Sequence, residues 1–234
     1  MTAMLRNILI PAILALVLAA ASAVMGADSI CYGTTSKGKL EQGCKLPYSG
    51  DNFTAYSRLG STLGRTYVHC KVSKVILAAY EELKLQYPDK IFVYGETGWA
   101  SGGSFKPHKT HQNGLSADFM VPVVDRSGRS IRLPTNAFNK YGYDVDFDGQ
   151  GHNGEIAIDF EAVAAHILAI KHAADANHVK IWRVIFDPKL QPFLHTTKAW
   201  PALKGQVKFS ERRSWVRHDD HYHIDFQVPC KPLT

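Results

Sequence analysis

The eight residues from His221 to Val228 alternate without a break between polar and apolar side chains. Successive side chains of a strand point to opposite faces, so a period of two predicts a strand with one buried face. Tyr222, Ile224, Phe226 and Val228 form the apolar face, which has to pack on a core. His221, His223 and Asp225 share the other face, which places two imidazoles side by side. The fold must therefore contain a sheet that is covered on one side and presents histidines on the other. Two histidines so close on one face suit metal ligation, or a ligand beside a proton-transfer group.

A second stretch, His108 to Asp118, carries the matching residues. His111 and Asp118 are seven positions apart and would face opposite ways on a continuous strand. Between them Asn113-Gly114 is a strong turn signal, and a turn there lets the two side chains converge. The two stretches together supply a His, an Asp and a His, with further histidines at 108 and 218 alongside. Three protein ligands and one open position is the arrangement of catalytic zinc, whereas structural zinc is usually enclosed by four ligands. The remaining histidines, His69, His166, His172, His178 and His195, are read as having no part in a site. His166 and His172 are expected only to decorate a helix.

Around these stretches the pattern predicts an α+β fold, with a small, mostly antiparallel sheet flanked by helices and carrying the zinc site. Apolar residues at helical spacing predict helices over Tyr67–Gln86 and Phe160–Ala176, with a short one over Lys189–Lys198. Strands are expected at Ile91–Tyr94, Leu115–Val124, Val179–Phe186 and His221–Val228. Residues 31–64 lack periodicity and read as an irregular segment tied by disulfides. The stretch Pro134–Gly154 reads as a polar loop.

The first 27 residues have the three regions of a secretory signal peptide: a weakly basic start, an apolar run from Ile8 to Ala20, and small residues up to Ala27. Residues 28–234 are then expected to be one exported domain, periplasmic or secreted, with no second apolar run long enough to span a membrane. The four cysteines all fall in that part, which suggests two disulfides with three possible pairings. The net charge of +6 suits an anionic polymer such as a cell envelope, or simply solubility. The basic residues form no dense run, which argues against nucleic acid as a partner. The oligomeric state is not legible.

The spacing His111-x6-Asp118 with His221-x-His223, each preceded three residues earlier by His108 and His218, resembles that of the penicillin-insensitive murein endopeptidases. These belong to a wider group that includes lysostaphin-type enzymes, D-Ala-D-Ala peptidases and the hedgehog signalling domain. The Gly-rich approach Gly95–Gly103, the segment Val184–Pro188 and the ending His221–Cys230 are similar as well. The resemblance implies that His111, Asp118 and His223 bind one zinc ion and that His221 acts on the water or the oxyanion. His218 lines the site beside it as a second catalytic candidate. It also implies a possible second metal held by His108 with Asp148 and His152, although that pair is one residue further apart than the family's. The implied substrate is the peptide cross-link of peptidoglycan. A D,D- or L,D-carboxypeptidase of the same group, or a non-catalytic zinc-binding recognition domain, would use the same ligands. No serine-nucleophile motif is present, and the ligand spacing is not that of the non-haem iron oxygenases.

Overall fold

The computed structural model describes residues 28–214 and 216–234, so the expected signal peptide lies outside the described residues. The chain opens with a hairpin, β1 (Ile30–Thr34) against β2 (Lys37–Glu41), followed by β3 (Cys44–Lys45), β4 (Phe53–Ala55) and the short helix α1 (Arg58–Thr62). The expected irregular segment is thus largely regular. Strand β4 joins the main sheet, where its backbone groups find partners that the sequence pattern does not reveal. Next come β5 (Tyr67–Val68), α2 (Cys70–Gln86) and β6 (Phe92–Tyr94). Helix α2 starts three residues later than the apolar spacing suggests. Tyr67 and Val68 pair with β3, and His69 caps the helix by accepting from the Lys71 N–H.

The expected strand over Leu115–Val124 is two strands, β7 (Ser116–Met120) and β8 (Val123–Asp125). Pro122 has no N–H to give a ladder, and the Val121 N–H instead bonds the Asp220 carbonyl at 3.1 Å. Then follow β9 (Ser130–Ile131), a 3₁₀ segment (Ala137–Gly142), β10 (His152–Asn153), β11 (Ile156–Ile158), α3 (Phe160–Ala176) and β12 (Lys180–Ile185). The expected helix over Lys189–Lys198 shrinks to the single turn α4 (Gln191–Leu194). A further turn, α5 (Trp200–Leu203), precedes the last strand, β13 (His221–Gln227).

Five strands form the main sheet in the order β12-β13-β7-β6-β4, antiparallel except for β4 beside β6. Helices α2 and α3 pack on each other and cover one face of it. Tyr222, Ile224 and Phe226 of β13 are buried there, with Tyr222 stacked on Phe119 at 5.6 Å between centroids. Burying an aliphatic or aromatic side chain of this size is worth roughly 1.5–3 kcal/mol, so this face fixes the register of the strand and turns its odd positions the other way. Disulfides join Cys31 to Cys230 and Cys44 to Cys70, which tethers the N-terminal hairpin to the end of β13. No helix among the described residues is long and apolar enough to cross a membrane.

His166 does not decorate its helix. It is 1% exposed and sits among Tyr80, Phe92 and Phe119, with the Tyr222 hydroxyl on its Nδ1 at 2.5 Å. His172 is exposed and meets Glu82 at 3.0 Å. The physical difference is a turn and a half of helix: position 166 lies on the stripe with Val163, Ile167 and Ile170 that faces the sheet. Burial pushes the His166 imidazole down to about 3. A folded-state value below the unfolded one means the unfolded chain takes up the proton first. Stability from this residue is therefore full above about pH 6.5 and is lost as the pH falls toward 3, by on the order of 4 kcal/mol. His166→Gln, neutral throughout, is expected to show a shallower loss between pH 6.5 and 4 in urea titrations. An unchanged acid limb would show that His166 is not the group responsible.

Candidate metal centre and cleft

The odd face of β13 looks into a cleft of about 910 Å³, with His221, His223 and Asp118 at its floor. In the β7–β13 ladder His223 stands directly opposite Asp118. The polar alternation of β13 and the strand position of Asp118 thus bring together two residues that are 105 positions apart. The His223 Nδ1–H donates to Asp118 Oδ1 at 2.8 Å, and its Nε2–H donates to Asp225 Oδ1 at 2.8 Å.

His111 reaches the same carboxylate from the loop before β7, with Nε2 3.3 Å from Asp118 Oδ1. The expected turn at Asn113-Gly114 is present, since Gly114 has φ +74°, and a Cβ there would lie 2.6 Å from the His69 nitrogen. The chain is redirected a second time at His111 itself, which has φ 67°. A left-handed residue other than glycine costs roughly 1–2 kcal/mol, and here it aims a buried imidazole at Asp118. The His111 Nδ1–H donates to the Thr97 carbonyl at 3.2 Å, while the fully buried Nε2 has no hydrogen-bond partner among the described residues. Burial holds the His111 imidazole below its usual range, so it is neutral with a lone pair on Nε2. An orphaned, buried lone pair beside a buried carboxylate suits a cation.

Asp118 is the hub. Burial works to raise its carboxyl, but the histidines around it together outweigh that and hold it well below the ordinary carboxylate range. The Tyr143 hydroxyl donates to its other oxygen at 3.0 Å, and His108 Nδ1 is 3.7 Å away. His108, His111 and Asp118 offer ligand atoms that all lie within 4.8 Å of one another, so this group could hold a metal ion. His108 is also held from behind, its Nε2–H donating to Glu96 at 2.6 Å. Burial of Glu96 opposes ionisation, yet His108 and Arg65 outweigh it and keep the carboxyl down at about 2.

The other two histidines flank this centre. The His221 Nδ1–H donates to Asp220 Oδ1 at 2.5 Å, and its ring lies 4.6 Å from that of His218. Burial pulls the His221 imidazole down, but Asp220 more than offsets it and the net shift is upward. His218, buried without such a partner, is pushed down to about 3. Asp148 and His152, the remaining sequence candidates, are both exposed and face each other at 3.8 Å at the start of β10. They are not part of the His108 group.

Three residues of the site carried no signal that sequence reasoning used. Tyr143 comes from the presumed polar loop, Glu96 from the glycine-rich approach, and Asp220 stands beside His221 in the chain. Asp225 was placed on the histidine face by its period, but only the folded geometry shows that it and Asp220 hold ring nitrogens.

An α+β fold with a buried group of imidazoles around one carboxylate, at the floor of a large cleft, defines a protein with a candidate metal centre on a sheet face. Its affiliation is specific. The chain belongs to the penicillin-insensitive murein endopeptidase family, whose model matches residues 31–232. A comparison with curated proteins gave no match. Membership means a hydrolytic enzyme acting on murein.

Proposed function

We propose that the chain is an exported zinc endopeptidase that cuts peptide cross-links of peptidoglycan, with His111, Asp118 and His223 as zinc ligands and His221 as the proton-transfer group. The observation that supports this best is that the far ring nitrogen of each imidazole is held by an acceptor, which aims the near one. Thr97 takes the far N–H of His111 and Asp225 the far N–H of His223, so the near nitrogens, Nε2 and Nδ1, both point at Asp118. Holding the far nitrogen of a ligand histidine on a carbonyl or carboxylate is how metal sites fix ring orientation. Zinc bound there would supply a water of pKa about 7 and polarise the scissile carbonyl.

The protein's own residues do the rest. Asp220 holds His221 by Nδ1 and leaves Nε2 to take a proton from the attacking water and return it to the leaving amine. His218, neutral beside it, lines the site as a donor or acceptor. Tyr143 fixes the second oxygen of Asp118 and packs edge-on to His221 at 4.9 Å, which holds carboxylate and base in one relation. The cleft, whose lining includes Tyr56, Leu59, Arg183 and Arg217, leaves room for an extended stem peptide. Hydrolysis by this route forms no acyl-enzyme, so a β-lactam has no serine to acylate.

Residues 28–234 would form the enzyme domain, and the two disulfides suit an oxidising compartment outside the cytoplasm. Digestion of purified cross-linked muropeptides, followed by mass analysis, is expected to give the two monomers. Activity should be lost with a chelator and restored by zinc. Release of a single terminal amino acid would make the enzyme a carboxypeptidase. Cleavage that survives complete metal removal would end the zinc reading.

A further inference from the structure

We propose that Arg183 recognises a free carboxylate of the stem peptide, and that buried Asp225, on the same face of β13 as His223, positions both Arg183 and His223. This inference rests on the endopeptidase reading above and adds which group of the substrate the cleft reads. Three strands build the arrangement in two successive rows. In the first row Asp118, His223 and Ile185 are neighbours across β7, β13 and β12; in the second, Ser116, Asp225 and Arg183 are. A register shift between Ile181 and Arg183 lets β12 offer Arg183 and Ile185 to the cleft, and both line it.

Asp225 is fully buried and accepts from three groups at once. These are Ser116 Oγ at 2.6 Å, His223 Nε2 at 2.8 Å and Arg183 Nε at 2.6 Å. The Arg183 side chain remains one-third exposed, with its guanidinium carbon 4.4 Å over the Trp182 ring. Only Nε is used. The two terminal nitrogens have no partner among the described residues, and their planar fork matches a carboxylate bidentately. Of the arginines and lysines lining the cleft, Arg65 is committed to Glu96, Lys140 to Asp144, and Arg217 to Asp146, Asp219 and Asp220, while Lys109 also has a partner. Held at one end by a buried anion and across its face by an indole, Arg183 surrenders little conformational entropy when it binds.

The distance fits a peptide. Arg183 lies two strand positions from the His223 row, about 7 Å along the strand, which one or two extended residues would span. The carboxylate read there is one borne by a residue next to the cleaved bond, as on a diamino-acid branch point or a stem terminus. A neutral amide in that place would leave the guanidinium fork half paired.

The experiment compares two cross-linked muropeptides that differ only in whether the α-carboxylates beside the cleaved bond are free or amidated. The wild-type, zinc-loaded enzyme is expected to prefer the free form at least tenfold in kcat/KM, with the difference carried by KM. In Arg183→Gln that preference should fall to within about twofold of unity, and Arg183→Lys should lie between. Each preference is a ratio measured on one protein sample, so a partly folded or partly loaded variant does not distort it. A wild-type enzyme that cuts both forms equally, or an Arg183→Gln variant that keeps the wild-type ratio, would overturn the assignment. If the loaded wild type cuts neither form, the endopeptidase reading itself fails and takes this inference with it.

Discussion

His221→Ala is expected to lower kcat on cross-linked muropeptides by about 10²–10⁴-fold while leaving the bound zinc unchanged. Both halves of that expectation come from geometry. His221 and His223 share one face of β13, yet only His223 stands opposite Asp118 in the ladder and bonds it. His221 lies two pairs further along, opposite Met120, with its Nδ1 on Asp220. A residue tied in this way can exchange protons at Nε2 without being needed to hold the ion. Asp220→Asn gives an independent check, because an asparagine can still receive the Nδ1–H but no longer stabilises the cationic ring. It should lower kcat by roughly 10–100-fold and shift the limb of the pH–rate profile that belongs to His221 toward lower pH, since the carboxylate raises that imidazole. If His221→Ala loses its zinc, His221 is a ligand. If it keeps both zinc and wild-type rate, the proton-transfer role belongs to another residue.

The readable parts of this fold were those that a period or a spacing encodes. The alternation in β13 and the stripe on α3 reappear in the structure, because each buries a continuous apolar face and one slipped residue would expose it. The hairpin Ile30–Glu41 was missed because its strands carry Gly, Lys and Thr and only every other residue of β2 is buried. Its partners are supplied by the rest of the chain, including Lys231 near the far terminus. In the site, the motif residues could be found by spacing, whereas the groups that orient them could not. Tyr143 reaches Asp118 across 25 residues and Glu96 meets His108 from a separate strand end; neither contact leaves a pattern in the sequence. His166 failed for a different reason. A histidine on the apolar stripe of a helix is tolerated in the core only because a tyrosine hydroxyl from the sheet meets it, and that hydroxyl belongs to the histidine-bearing strand β13.

Two overlapping triads share His111 and Asp118, one completed by His223 and the other by His108, and single substitutions separate them. His223→Ala and Asp118→Asn should each reduce bound zinc from about one per chain to near zero and abolish cleavage. His108→Ala should retain the ion and lose only part of the rate. His223 is the stronger candidate because its near nitrogen lies 2.8 Å from the shared carboxylate oxygen, against 3.7 Å for His108 and the other oxygen. The far nitrogen of each is held by a buried carboxylate, Asp225 or Glu96, but His108 is the more exposed of the two. Asp118→Asn is the sharpest of the three, since it keeps the shape of the side chain and the acceptor for Tyr143 while removing the charge. Burying an ion pair and then deleting one partner commonly costs 3–5 kcal/mol, which would confuse loss of metal with loss of fold. Here Asp225 still pairs His223 from the other side, so the metal-free Asn variant should unfold in urea within about 2 kcal/mol of metal-free wild type. A folded Asp118→Asn protein carrying a full complement of zinc would show that the histidines alone hold the ion. A zinc-free His108→Ala protein beside a zinc-loaded His223→Ala protein would instead make His108, His111 and Asp118 the ligand set.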